Sequence, residues 1–201
     1  RANLLIQEPF LISETAVAEI CAAGFTSADC TIFQDVKSVS AGSALIIADG
    51  SSDLVPLNFF VPSSNQFGSS SSSSYQQRLT DVFDAVFSNL TASLNGRQAC
   101  VPVSAGLDSR LVLSGLLKHG HQNILAYSYG LKKNSDAVAA ESICKQLQVK
   151  WVFIEMTPAL IRKFSKSEVY RDYCKFAFTG DSIPFIQDLY AVDFLLNTLK
   201  L

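Results

Sequence analysis

Val101-Pro102-Val103-Ser104-Ala105-Gly106-Leu107-Asp108-Ser109-Arg110 carries an apolar run into small and polar residues and directly on into an apolar segment of helical period. The run reads as a strand that ends abruptly, the polar residues as a tight turn, and the segment behind them as a helix. In such a turn the N–H groups of the loop and of the first helical residues converge on one point. The positive end of the helix dipole stands behind that point, which therefore attracts phosphate. Ser104, Asp108 and Ser109 add two hydroxyls and a carboxylate, a set suited to a nucleotide phosphate with its magnesium. The plain alternative is an ordinary strand-to-helix turn with Ser or Asp as its cap.

Downstream, Leu111, Val112, Gly115 and Leu116 continue the helix until Gly120 ends it. His119 and His121 straddle that end and read as cations at a helix C-terminus rather than as metal ligands. A second strand, Ile124 to Tyr129, passes through Gly130 to a helix from Asp136 to Leu147, capped by Asn134 or Ser135, with Ala139, Ala140, Ile143 and Leu147 on its apolar face. A third strand, Trp151 to Ile154, follows, and Thr157-Pro158 opens another helix as cap and first residue. Strands alternating with helices at this spacing predict an α/β fold, a parallel sheet with helices on both faces, with ligands at the carboxyl ends of its strands. The Ser104 turn lies at such an end. Beyond Glu168 the chain reads as helices, with Tyr170, Tyr173, Phe176 and Phe178 as core.

Upstream, a helix from Gln76 to about Leu94 carries Leu79, Val82, Phe83, Val86, Phe87, Leu90 and Leu94 on one face. Before it, residues 56–75 hold Pro62, Gly68 and an unbroken serine run from Ser69 to Ser74, the composition of a tether. Glu14 to Ala23 reads as a helix capped by Ser13 and stopped by Gly24, burying Ala16, Val17, Ile20 and Cys21. Thr31 to Phe33 and Ala44 to Ala48 read as short strands around an Ala41-Gly42 turn.

Composition narrows the class of protein. The chain has 201 residues, 48% of them hydrophobic and 17% charged, and 16 basic against 18 acidic residues leave a net charge of −2. A basic cluster able to track a nucleic-acid backbone is absent, so nucleic acid is not expected as a partner. No run reaches the ~18 to 20 apolar residues of a membrane span, so no membrane partner is expected either. Arg1, not Met, opens the sequence, as expected for a piece of a longer chain. Cys21, Cys30, Cys100, Cys144 and Cys174 are odd in number and widely spaced, which fits reduced thiols in a cytoplasm better than a disulfide framework or a zinc site. Cys100 and Cys144 read as small core residues.

The pattern Ser104-x-Gly106-x-Asp108-Ser109 resembles the pyrophosphate-binding loop (PP-loop) of the ATP pyrophosphatases and lacks the Lys-Ser/Thr of the Walker loop. With Arg110 and the apolar run behind it, it is most similar to the synthetase domain of glutamine-dependent asparagine synthetases, where the loop commonly reads Ser-Gly-Gly-Leu-Asp-Ser. Ala105 replaces the first of those glycines, which is tolerable if its φ is negative. Tyr129-Gly130-Leu131, Ser135-Asp136, Ala139-Ala140 and the strand from Trp151 to Ile154 repeat the order of the next unit of that family. Residues 31–42 resemble the stretch that closes the family's glutaminase domain, and residues 182–188 a segment of asparagine synthetase-like proteins from bacterial surface-polysaccharide contexts.

The resemblance implies a PP-loop synthetase domain of the adenine nucleotide alpha hydrolase type over 76–201, truncated before a second family loop. It also implies a glutaminase remnant over 1–55 and a linker over 56–75. Neither Cys21 nor Cys30 matches the family's N-terminal nucleophile, so the ammonia-releasing part is expected outside this chain or absent from the protein, and amide formation from glutamine is not expected of these 201 residues. The activity implied is an ATP-dependent carbon–nitrogen ligase that forms an acyl-adenylate and transfers ammonia, with ATP and Mg2+ required. Its expected partners are a small-molecule carboxylate, aspartate or a sugar uronic acid, and ammonia or glutamine, and a homodimer is compatible with it. The implied nucleotide-binding residues are Pro102, Ser104, Gly106, Asp108, Ser109 and Tyr129. Pro102 and Tyr129 would meet adenine through backbone, and Asp108 would hold the metal. Asp108 and Arg110 are the implied catalytic pair, with Arg110 either facing a substrate carboxylate or simply solvated. The same loop serves NAD synthetases, GMP synthetases and tRNA-thiolating enzymes, and a non-catalytic nucleotide-binding or assembly module is the reading from another class.

Overall fold

The computed structural model of the chain describes residues 11–48, 51–56 and 72–200. They fall into two compact units, one made of the described part of 1–66 with 163–189, the other of the described part of 67–162 with 190–200. Segment 163–189 thus groups with the N-terminal residues, although the sequence reading ran one domain from 76 to 201. Most of the expected linker, residues 57–71, lies outside the described residues.

The sheet belongs to the second unit. Strands β3 (Ala99–Pro102), β4 (Ile124–Gly130) and β5 (Lys150–Glu155) run parallel in the order β3-β4-β5. Ala99 pairs with Ile124 and Leu125 with Lys150. Because side chains alternate across a strand, β4 feeds two cores. Ile124 and Ala126 meet Leu113 and Leu116 of α3 (Leu107–Lys118) and Ala140 and Cys144 of α4 (Ser135–Gln146). Leu125 and Tyr127 meet Ile154, Met156, and Ala191 and Leu195 of α7 (Ile186–Thr198), with Ile161 of α5 (Pro158–Phe164) packed against them. Helices therefore cover both faces, as alternation of strands and helices predicts.

Local signals place the helix ends. Asn134 caps α4 by accepting the Ala137 N–H at 2.8 Å, and Thr157 accepts the Leu160 N–H at 3.2 Å ahead of Pro158. Helix α2 (Ser72–Leu94) begins four residues before Gln76, so Ser72 to Ser74 are helical rather than tether. Of its apolar face Phe87 is buried, whereas Leu79, Val82 and Val86 are exposed. Phe87 packs over α3 at Gly115, where an added Cβ would stand 2.5 Å from its ring. Cys144 is core as expected, but Cys100 is exposed, because β3 buries only its Val101 face. Among the α4 residues expected to be buried, Ala140 is, while Leu147 is exposed.

In the first unit, α1 (Glu14–Ala23) has Ser13 accepting the Ala16 N–H and Gly24 at φ 85° as its stop. Only Ala16 of its expected stripe is buried; Val17 and Cys21 are exposed and Ile20 is half-buried. Strand β1 (Ser43–Ala48) pairs antiparallel with β2 (Ser51–Pro56), a strand the sequence reading missed. Thr31 to Phe33 is not a strand. Phe33 makes one isolated bridge to Ile12, and the Thr31 hydroxyl bonds the carbonyls of Phe33 and Val36, which turns the chain. Helix α6 (Glu168–Ala177) is capped by Ser167. Phe176 on it is exposed and Tyr170, Tyr173 and Phe178 are half-buried, so these aromatics do not form the expected core. The Asp181 carboxylate accepts from Thr179, Ser38 and Ser182, and the first of these bonds does most to hold its carboxyl below the ordinary range.

Candidate functional site

Strand β3 stops at Pro102, which has no N–H to extend the ladder, yet one more rung forms: Val103 N–H donates to the Tyr127 carbonyl at 2.8 Å. The chain then turns through Ser104 and Ala105, and Gly106 serves as N-cap of α3 with extended backbone and no side-chain cap. The first N–H groups of α3 consequently have no side-chain acceptor at the cap, and the helix dipole points out of the turn. Positive φ at non-glycine residues is confined, among those described, to Ala28, Asn95, Lys133, Gln148 and Lys200. Ala105 therefore follows the turn without strain.

Serine hydroxyls bind this turn together. The Gly106 N–H donates to Ser104 Oγ at 3.1 Å, the Ser104 N–H donates to Ser109 Oγ at 3.1 Å, and the two hydroxyls stand 3.3 Å apart. A side chain at Gly106 would begin 3.2 Å from Ser104 Oγ, so glycine leaves room for that hydroxyl beside the backbone. A hollow of about 320 Å³ opens at the carboxyl ends of β3 and β4, lined by Pro102, Ser104, Tyr129, Ser128, Asn134 and Asp136 among others. That volume lies at the lower end of ligand pockets.

The structure thus brings Pro102, Ser104 and Tyr129 to one hollow, with Gly106 and Ser109 bonded to the Ser104 edge of it. Asp108 and Arg110 lie elsewhere. Both line a second hollow of about 540 Å³ between α3 and α4, with Leu107, Leu111, Ile143 and Gln146. Asp108 is exposed, and the Arg110 guanidinium folds back on the loop, donating to the carbonyls of Gly106 and Ala105, each at 3.0 Å. In this state it caps the turn rather than facing open solvent.

Three further polar residues, Ser128, Asn134 and Asp136, line the first hollow and were not singled out for it by the sequence reading. Asn134 was visible as a helix cap and Asp136 as an acidic first turn, but Ser128 inside an apolar strand gives no local signal. Its hydroxyl, buried, donates to the Val103 carbonyl at 2.6 Å and accepts from Trp151 Nε1 at 3.0 Å. Of the histidines, His119 stacks on Phe87 and stands 3.2 Å from Asp84 Oδ1, which Lys118 also binds at 2.6 Å. The Lys118 bond, and then the His119 bond, hold the Asp84 carboxyl below its ordinary range. Among the described residues no three of His, Cys, Asp or Glu gather to hold a metal ion. Magnesium does not need such a cage, since it is commonly bound through one carboxylate, waters and substrate phosphates. Asp108, exposed at the first turn of α3, is one carboxylate of that kind, although it lines the second hollow rather than the first.

A parallel sheet covered on both faces, with a tight strand-to-helix turn at the carboxyl end of its first strand, defines the class as an α/β domain of the parallel-sheet type. Residues 87–186, just under half of the chain, match the model of the family described as asparagine synthase. No curated protein matches the chain. Among solved structures, the NH3-dependent NAD synthetase from Campylobacter jejuni in complex with nitrate is similar at 19% identity and a TM-score of 0.37. The match covers 50% of this chain and 46% of that one, so the chain spans under half of that structure's length. Among the described residues no helix is long and apolar enough to cross a membrane.

Proposed function

We propose that the chain is the nucleotide-binding part of an ATP-dependent amide synthetase of asparagine synthetase type, with a small-molecule carboxylate and ammonia or glutamine as partners. The single observation that carries this reading is the hollow at the carboxyl ends of β3 and β4, edged by Ser104 of the turn that leads into the uncapped N-terminus of α3, within a segment that matches the asparagine synthase family model. In the proposed reaction a carboxylate oxygen attacks the α-phosphorus of ATP and the bond to the β-phosphate breaks, releasing pyrophosphate. Ammonia then attacks the acyl carbon of the acyl-adenylate, AMP leaves with the bonding electrons, and a proton goes to solvent.

The residues of the turn act on the departing charge. The N–H groups of α3's first turn and the hydroxyls of Ser104 and Ser109 bind pyrophosphate more tightly as charge builds on it, which lowers the barrier rather than merely binding ATP. In the free turn the hydroxyls are occupied by N–H groups of the turn itself, so binding must exchange those bonds for bonds to phosphate oxygens. Asp108 would hold magnesium, which when bound neutralises part of the phosphate charge. Arg110, released from the loop carbonyls, would be free to meet the substrate carboxylate. Backbone at Pro102 and Tyr129 would pair with adenine.

Arg110 in its present bonds favours one rival, a nucleotide-binding module that does not catalyse. Exchange of labelled pyrophosphate into ATP, measured with candidate carboxylates such as aspartate and sugar uronic acids, separates the two. Carboxylate-dependent exchange is expected. Nucleotide binding with no exchange for any of these carboxylates would favour the rival.

A further inference from the structure

We infer that Ser128 is a positioning residue for the phosphate turn, and that Trp151 fixes the direction of its hydroxyl. The inference rests on the reading of the turn as a nucleotide site and extends it to residues from two other strands. Trp151 Nε1 can only donate, so at 3.0 Å from Ser128 Oγ it makes that oxygen an acceptor. The one proton of the hydroxyl is then directed to the Val103 carbonyl, 2.6 Å away. The Val103 carbonyl and the Ser104 N–H belong to one planar peptide. Holding the carbonyl therefore holds the N–H, which donates to Ser109 Oγ at 3.1 Å.

A continuous chain of hydrogen bonds thus runs from the indole on β5 through Ser128 on β4 and the peptide after Val103 to the hydroxyl pair of the turn. The Val103 N–H, part of the preceding peptide, donates to the Tyr127 carbonyl and so anchors Val103 to β4 from its other side. Val103 and Ser128 are buried, so alternative partners from water are scarce and each bond strengthens its neighbours. Two consequences follow for a bound phosphate. The Ser104 N–H and the Ser109 hydroxyl present themselves in a set orientation, and any rearrangement of that pair on binding is felt at Trp151. Trp151 is the single tryptophan of the chain, so its emission reads the state of the turn.

The test uses the full chain, titrated with MgATP and with inorganic pyrophosphate, following Trp151 emission and, in parallel, heat by calorimetry. In the wild type both ligands are expected to bind and to shift the emission. Ser128→Ala is expected to change the emission of the unliganded protein, to lose the ligand-induced shift, and to weaken MgATP binding about tenfold, the equivalent of ~1.4 kcal/mol. Ser128→Thr keeps the hydroxyl and is expected to restore both shift and affinity, which a purely structural effect of the site would not do. Should Ser128→Ala fail to fold, Trp151→Phe removes the indole donor to the Ser128 hydroxyl, and its MgATP affinity by calorimetry is expected to fall in the same direction. Wild-type affinity in Ser128→Ala with the emission shift retained, or wild-type affinity in Trp151→Phe, overturns the inference while leaving the turn a nucleotide site. Absence of any nucleotide binding by the wild type overturns the reading of the turn and this inference with it.

Discussion

Ser104 and Asp108 differ in what their removal leaves behind. The Ser104 hydroxyl accepts the Gly106 N–H at 3.1 Å, whereas Asp108 is exposed at the start of α3. Ser104→Ala is expected to cost ~1 kcal/mol of stability, one modest hydrogen bond, and Asp108→Asn less than about 0.5 kcal/mol, as for a surface site. Both are expected to abolish ATP binding in calorimetry, and unchanged affinity in both would remove the turn from consideration. Gly115 is a different kind of residue, conserving space rather than chemistry. A methyl there meets the ring of buried Phe87 at 2.5 Å. Overpacking costs about 1–3 kcal/mol against ~1 kcal/mol gained in helix propensity over glycine. Gly115→Ala is expected to lower the melting temperature, and to lose this effect in a Phe87→Leu background.

Helices α2 and α3 are joined by that contact and by the Asp84 carboxylate, which binds Lys118 and His119 at the C-terminal end of α3. Asp84 is held below its ordinary value of 3.8, first by the Lys118 hydrogen bond and then by that of His119. A carboxyl with a lowered folded pKa contributes stability that is present above the ordinary value and lost as pH falls through the folded one. The contribution of Asp84 is therefore complete at neutral pH and disappears only below about pH 3.8. Asp84→Asn is expected to flatten the acid limb of a plot of melting temperature against pH in that range and to reduce its salt dependence. An unchanged acid limb would show that the tie is solvated and contributes nothing.

For the molecule as a whole, a ligand that binds only the folded state stabilises it by mass action. MgATP at 100 times its dissociation constant is expected to add ~2.7 kcal/mol of stability, seen as a rise in melting temperature that Asp108→Asn abolishes. The ends of β3 and β4 stand side by side, and Pro102 and Tyr129 line one hollow. If backbone at these two residues pairs with adenine as proposed, guanine, with donor and acceptor reversed, would leave buried groups unpaired. ATP is expected to bind at least about tenfold tighter than GTP, which needs only ~1.4 kcal/mol, and equal binding in calorimetry would place the base elsewhere.

Over the whole chain, the sequence alone determined what short-range forces decide. The strand, turn and helix at Ser104, the caps Ser13, Asn134 and Thr157, and the stop at Gly24 each depend on residues within about one helical turn, so their signals lie side by side in the chain. Alternation of strands and helices likewise implied the parallel order, because crossovers between neighbouring parallel strands leave few alternatives. Tertiary structure decided what depends on distant partners. Periodicity finds an apolar face but not its cover, so Phe87 is buried while Val82 and Val86 on the same face are not, and Cys100 is exposed where Cys144 is core. Thr31 to Phe33 has strand composition, but among the described residues it makes one isolated bridge and no ladder, and the Thr31 hydroxyl turns the chain instead. Arg110 became a cap of its own loop through carbonyls four and five residues back. Ser128 was illegible for the same reason at longer range. Its partners lie 25 and 23 residues away along the chain, and only the register of three strands brings the Val103 carbonyl and the Trp151 indole to one hydroxyl.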